Sequence, residues 1–283
     1  MKFTKMQGAG NDFIVINNIE EKIEEDKLSE IAAVLCTRRM SLGADGFMVV
    51  TESDCADFKM LFYNSDGSIG EMCGNGARCI ARYGYENGLS GDVQKIETTA
   101  GIVMGYRKNE RMYTVRLNDP TTIDLHRAAE ADGEEYDCSY IELGNPGLPH
   151  AIVLLEGFDE IDENVLREKG RQLRWSKNFP KGANVTFCYV NGEDSVKART
   201  FERGVEDFTL ACGTGCGSVV TALTLKGLVS GNNVKVSMPG GDLFVTVGRE
   251  KDTVKDIMLT GPTNIVAEGV IRDEDLFNKE AAK

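Results

Sequence analysis

Two stretches repeat one local plan in the two halves of this 283-residue chain: Met72-Cys73-Gly74-Asn75-Gly76 and Ala211-Cys212-Gly213-Thr214-Gly215. Each sets a cysteine directly before Gly-x-Gly, and each opens a run able to form a helix. The elements around them recur in a comparable order, so the pattern constrains the fold to an internal duplication. In the first half, Phe3, Lys5, Phe13 and Val15 alternate about the Gly8-Ala9-Gly10-Asn11 turn and predict a hairpin. Leu28, Ile31, Ala32, Leu35 and Cys36 fall at helical spacing behind Asp26 as cap, and Gly46–Val50 and Phe58–Tyr63 read as strands. The first cysteine helix runs through Ala77, Ile80, Ala81 and Gly84, followed by strands at Val93–Glu97, Ile102–Tyr106 and Met112–Leu117.

Asn118-Asp119-Pro120 punctuates the chain, and an irregular stretch with Ala128 to Gly133 follows. The second half then reads strand (Ile141, Ala151–Leu155), amphipathic helix (Ile161 to Leu173), and strands at Val185–Tyr189 and Val196–Phe201. Its cysteine helix carries Val219, Val220, Leu223 and Leu225 and closes near Gly227, before strands at Val234–Met238, Leu243–Val247 and Val254–Leu259. The fold class expected is α+β: two pseudosymmetric strand-rich lobes, each a sheet wrapped on a central helix, with an active-site cleft between them. The lobes are expected at 1–118, with 264–283 returning to it, and at 119–263.

A net charge of −13 argues against a nucleic-acid or anionic-membrane partner, which would need a basic face. Acidic runs such as Glu20-Glu21-Lys22-Ile23-Glu24-Glu25-Asp26 read as solvated surface. The start of the sequence has no apolar leader-like run and no segment is long enough to span a bilayer, so a cytoplasmic location and eight reduced cysteines are expected.

A helix N-terminus presents unpaired N–H groups and a partial positive charge. It shifts a thiol toward thiolate and can hold a carboxylate. Two such ends across a cleft could grip one α-carboxylate and set a sulfur on either face of the neighbouring carbon. One sulfur, as thiolate, would remove a proton while the other, as thiol, returned one to the opposite face, which inverts the centre. The pair would then titrate as a coupled system.

The sequence resembles the diaminopimelate epimerase family over almost its whole length. The resemblance rests on Gly8-Ala9-Gly10-Asn11-Asp12-Phe13, Tyr63-Asn64-Ser65-Asp66-Gly67-Ser68, Cys73-Gly74-Asn75-Gly76-Ala77-Arg78-Cys79, Phe201-Glu202-Arg203-Gly204, Ala211-Cys212-Gly213-Thr214-Gly215, Pro239-Gly240-Gly241 and Thr260-Gly261-Pro262, in that order. It implies a cofactor-free epimerase, dimeric, with Cys73 and Cys212 as acid and base and with His150 and Glu202 tuning them. It also implies substrate contacts from Asn11, Asn64, Asn184, Glu202 and Arg203 and from the backbone at Gly74, Asn75, Gly213 and Thr214. Arg203 would suit a distal carboxylate, because a guanidinium binds one in a fork.

Two places depart from the family. In Gly144-Asn145-Pro146-Gly147-Leu148-Pro149-His150, Leu148 falls where a substrate-binding Asn is often found, and Asn145 could reach the same place through a longer loop. Phe208 stands where the family usually has Glu. Asn145, Leu148 and Phe208 are therefore candidates for altered specificity, and a racemase of the same family acting on another amino acid is the alternative.

Other readings stay open from the residues alone. A lone cysteine is most often a small buried hydrophobe, which covers Cys36, Cys55, Cys138 and Cys188, and Cys79 and Cys216 read as packing. The cysteine spacings and the two histidines do not make a zinc knuckle, so no metal is expected. His126 reads as surface, and His150 could be a core histidine. The glycine-rich loops lack a dinucleotide or P-loop signature. A cysteine hydrolase using one motif, or a non-catalytic binding module on the same fold, are the rival functions.

Overall fold

The computed structural model describes residues 1–70 and 73–277 and divides into two units, Met1–Val115 with the chain from Gly261, and Arg116–Thr260. Met72 and residues 278–283 of the expected first lobe lie outside the described residues.

In the first unit the strands neighbour one another in the order Asn264–Val270, Lys2–Gly8, Asn11–Asn17, Gly46–Thr51, Phe58–Asn64, Val93–Thr98, Gly101–Arg107 and Met112–Arg116. Successive pairs run antiparallel, antiparallel, parallel, antiparallel, parallel, antiparallel and antiparallel. In the second unit the order is Pro120–Ala131, Glu134–Leu143, Leu148–Leu154, Asn184–Gly192, Ser195–Glu202, Val234–Met238, Gly241–Glu250 and Thr253–Pro262, and the sense of each successive pair is the same. The short strand Asp207–Phe208 adds to the Ser195–Glu202 strand.

Parallel neighbours need a crossover, and a helix supplies it. Glu25–Cys36 and Glu163–Arg174 each link the third strand of their unit to the fourth. Gly74–Glu86 and Gly213–Leu225 each link the fifth to the sixth. Both units are thus α+β, and each carries its cysteine helix at the same place in the plan.

The strand alternation shows why the sheet needs a helix on either face. Phe13 and Val15 with Met48 and Val50 pack on Cys79, Ile80 and Ala81 of the Gly74–Glu86 helix. Ile14, Ile16, Phe47 and Val49 pack on the other face, against Leu28, Ile31, Ala32 and Leu35 of the Glu25–Cys36 helix. In the second unit Ala151, Val153, Val185, Phe187 and Phe201 pack with Leu166 and Leu173 of the Glu163–Arg174 helix. The Gly213–Leu225 helix is buried nearly all round, as a helix enclosed by its sheet must be.

Three expectations needed revision. The stretch after Pro120 is not irregular but a long strand, Pro120–Ala131, hairpinned to Glu134–Leu143. The Glu25–Cys36 helix begins two residues earlier than Asp26 as cap allows, with Glu24 in the N-cap position. Cys55 is exposed beside Ser53 and Glu97 rather than packed, whereas Cys36, Cys138 and Cys188 are buried.

Candidate active site

Cys73 and Cys212 are both N-caps with extended backbone, at φ −109° and ψ 115° for Cys73 and φ −119° and ψ 105° for Cys212. A cysteine fits here because the Gly-x-Gly that follows lets the chain turn tightly against it. A Cβ on Gly215 would lie 3.2 Å from the Cys212 sulfur. The Cys73 sulfur accepts from the Gly76 N–H at 3.4 Å, as a capping side chain does, and lies 3.4 Å from Asn11 Oδ1. Cys212 Sγ lies 3.6 Å from the Thr214 hydroxyl.

A helix N-terminus by itself shifts a thiol toward thiolate. At Cys212 the shift has the other sign. The residue is 7% exposed, and burial raises its pKa well above that of an ordinary thiol, with the Glu202 carboxylate adding to the effect. The Thr214 hydroxyl and the Gly215 N–H offset only part of this. Local geometry favours the anion, but desolvation outweighs it.

The strand registers place the supporting residues. Gly8 pairs with Asn11 to close the first hairpin, and Leu143 pairs with Leu148 to close its counterpart. Two residues on, Phe13 pairs with Gly46 and His150 with Asn184 across the parallel step. Leu148 is therefore the register counterpart of Asn11, and His150 that of Phe13. Asn64 ends the fifth strand of the first unit as Glu202 ends that of the second. A carboxamide near one thiol is matched by a leucine in the other unit.

His150 is fully buried, and among the described residues neither ring nitrogen has a hydrogen-bond partner. Burial, reinforced by the positive charge of Arg203, pushes its pKa down to about 3, so the imidazole is neutral at working pH. Glu202 accepts from the Thr209 hydroxyl at 2.6 Å. Asn184 accepts from the Arg203 N–H at 2.8 Å and donates to the Pro149 carbonyl at 3.4 Å, tying the Arg203 turn to the strand that carries His150. Among the described residues, the Arg203 guanidinium makes one long contact, 3.4 Å to the Lys181 carbonyl. Asn64 is exposed and donates to the Ser68 hydroxyl at 2.9 Å. Gly74, Asn75 and Gly213 are buried in the first turns of their helices, and Thr214 is half-buried.

Among the specificity candidates, Asn145 is exposed in the four-residue turn before Leu148, where its bond to Pro146 is cis, and Leu148 is half-buried. The Phe208 ring lies 5.9 Å from Phe201 and 6.3 Å from Phe187, with the Arg199 guanidinium 4.4 Å above it. Core packing and a cation–π contact account for an aromatic residue there.

Two contributors were not singled out from sequence. Arg78 is fully buried and donates to the Gly74 carbonyl at 3.2 Å and to Asn75 Oδ1 at 3.0 Å, bracing the helix start from inside. Its place in the Cys73–Cys79 motif gives no sign of that inward role. Asp45 accepts from Asn11 Nδ2 at 2.6 Å, and nothing local in the sequence announces that contact. Among the described residues, no three His, Cys, Asp or Glu side chains cluster closely enough to hold a metal, and no helix is long and apolar enough to cross a membrane.

The family model for diaminopimelate epimerase matches residues 3–123 and 143–266. A diaminopimelate epimerase of Aquifex aeolicus (strain VF5) is 39% identical over 286 residues, covering 98% of this chain and 99% of that protein. One from Methanothrix thermoacetophila is 35% identical, with 98% of each covered, and one from Archaeoglobus fulgidus is 37% identical, with 97% of each covered. Among solved structures, a phenazine biosynthesis protein of the PhzF family from Bacillus anthracis superposes with a TM-score of 0.71 at 16% identity, covering 96% of this chain and 99% of the other. A probable proline racemase from Agrobacterium radiobacter K84 gives 0.71 at 14% identity, covering 96% and 93%. These two likenesses establish the fold: the two-lobed α+β fold of PhzF and racemase proteins. The chain belongs to the diaminopimelate epimerase family. It is an isomerase.

Proposed function

We propose that this protein inverts one α-carbon of diaminopimelate, LL to meso, without a cofactor, supplying a precursor of lysine and peptidoglycan. The observation that carries the reading is the matched placement of Cys73 and Cys212. Both cap the helix between the fifth and sixth strands of units with the same strand order.

The chemistry follows from that placement. The first amides of each cysteine helix, at Gly74, Asn75, Gly213 and Thr214, hold the α-carboxylate where the helix dipoles favour an anion. Electron withdrawal by the bound carboxylate and ammonium makes the α-hydrogen acidic enough for a thiolate to take. The sulfur on the opposite face, as thiol, delivers its proton to the carbanion-like carbon, and the centre is inverted. Substrate entry also changes the balance at Cys212, because a bound ammonium offsets the Glu202 charge that disfavours its thiolate. Neutral His150 supplies a polar but uncharged neighbour, and Arg203 offers its fork to the distal carboxylate.

Relatives at 35–39% identity are named diaminopimelate epimerase, which supports this substrate. Leu148 at the register place of Asn11 favours the second reading, a different amino acid. A deuterium wash-in screen in D₂O, run over diaminopimelate and a panel of proteinogenic amino acids, decides between them. Exchange into diaminopimelate alone is expected. Exchange into another amino acid but not into diaminopimelate overturns the substrate.

A further inference from the structure

We propose that Asp45 is a positioning residue that fixes the Asn11 carboxamide with its oxygen toward Cys73, and so holds Cys73 as the neutral thiol before substrate binds. What each group can donate fixes the orientation of the amide. A carboxylate only accepts, so Asn11 must turn its Nδ2 to Asp45 Oδ2, 2.6 Å away. That leaves Oδ1 on the other side, 3.4 Å from Cys73 Sγ. An amide oxygen has no proton to offer a sulfur, so the contact is favourable only while Cys73 carries its own. A thiolate would call for the amide to flip, which would turn the oxygen onto the Asp45 carboxylate.

Asp45 is itself held in place. Its Oδ1 accepts from Arg38 Nη2 at 2.9 Å, and its Oδ2 also accepts from the Asp12 N–H at 3.2 Å. Its own N–H donates to the Asp12 carbonyl at 2.9 Å. Arg38 and Lys5 both pair with Asp12, and these pairings overcome burial to hold the Asp12 carboxyl below its ordinary range. Among the described residues, Arg38 thus joins Asp45 to Asp12 and Lys5 pairs with Asp12, while Arg78, Cys79 and Arg82 lie on the helix that Cys73 caps. The second unit lacks the device, since Leu148 occupies the register place of Asn11.

The inference extends the two-thiol reading by giving one sulfur its starting protonation state, but it is tested without turnover. The probe is iodoacetamide, with alkylation of Cys73, Cys212 and exposed Cys55 followed separately by peptide mass spectrometry from pH 6 to 9 on the full chain. Asp45→Ala should raise the Cys73 rate at pH 7 by about threefold, the scale of one hydrogen bond released to serve the thiolate. The rates at Cys212 and Cys55 should not change. Asp45→Asn, which can donate to the Asn11 oxygen and reverse the amide, should raise it at least as much. In an Asn11→Ala background neither substitution should have an effect, because Asp45 acts through Asn11. An unchanged Cys73 rate, or an equal rise in both backgrounds as loss of a nearby charge would give, overturns the proposal. Failure of the wash-in screen would instead remove the function and leave this result standing.

Discussion

His150 makes the stability of this protein depend on acid in a calculable way. The ring is fully buried, and burial together with Arg203 lowers its pKa from 6.5 to about 3. A base with a depressed folded pKa contributes fully above its unfolded pKa, and that contribution is lost as pH falls toward the folded one. The loss therefore begins near pH 6.5, where the unfolded chain starts to take up a proton that the folded protein refuses. At pH 5 the unfolded form is ahead by 1.5 units, worth about 2 kcal/mol at about 1.36 kcal/mol per unit. Urea unfolding at pH 7 and pH 5 should show this for the native chain against His150→Gln, whose side chain does not titrate. The variant should be less stable at pH 7, yet its loss on going to pH 5 should be smaller by about 2 kcal/mol. Equal losses in the two proteins would refute the assignment of a buried neutral imidazole. Arg203→Met should lie between them, because only the smaller of the two causes is removed.

The thiols give the opposite window. Burial pushes Cys36, Cys79, Cys138 and Cys188 up from 9.0 to about 12, so folding stability should hold below pH 9 and decline as pH rises toward 12. Each costs about 1.4 kcal/mol at pH 10, and Cys188→Ala should flatten the fall between pH 8 and pH 10 by about that amount in chemical denaturation. Gly84→Ala should destabilise by about 1–3 kcal/mol, since the new methyl would sit 2.6 Å from Phe58 Cε1 and 2.9 Å from Gln94 Oε1. An unchanged urea midpoint would contradict the close helix-to-sheet packing. Asp162 caps the Glu163–Arg174 helix by accepting from the Asn164 N–H at 2.9 Å, and Asp162→Ala should cost about 1 kcal/mol in the same assay.

What could be read from the chain was what is local and periodic. The Gly8-Ala9-Gly10-Asn11 hairpin and the two cysteine helices follow from turn chemistry and apolar spacing, and all three are present. The Pro120–Ala131 strand escaped because both its faces are polar or half-exposed over most of its length, so no alternation of apolar residues marks it. Asn264–Val270 escaped for a similar reason: it lies largely exposed, and its pairing with Lys2–Gly8 joins opposite ends of the sequence. Within the candidate site, the helix-capping positions of Cys73 and Cys212 were legible from their glycines. The direction of the Cys212 shift was not, because desolvation is set by packing from distant segments while the helix end is visible nearby. Asp45 was hidden because its partner Asn11 lies 34 residues away, and Arg78 because a motif shows which residue is present and not which way it points.

The two-thiol account is tested most directly by the isotope content of product and unreacted substrate during the first tenth of turnover in D₂O. If separate cysteines remove and return the proton, meso product formed from LL-diaminopimelate should carry solvent deuterium at the inverted carbon, while recovered LL substrate remains protiated. Cys73→Ser and Cys212→Ser should each abolish this product. Product that retains the substrate's own hydrogen, or either serine variant turning over at the native rate, would contradict it.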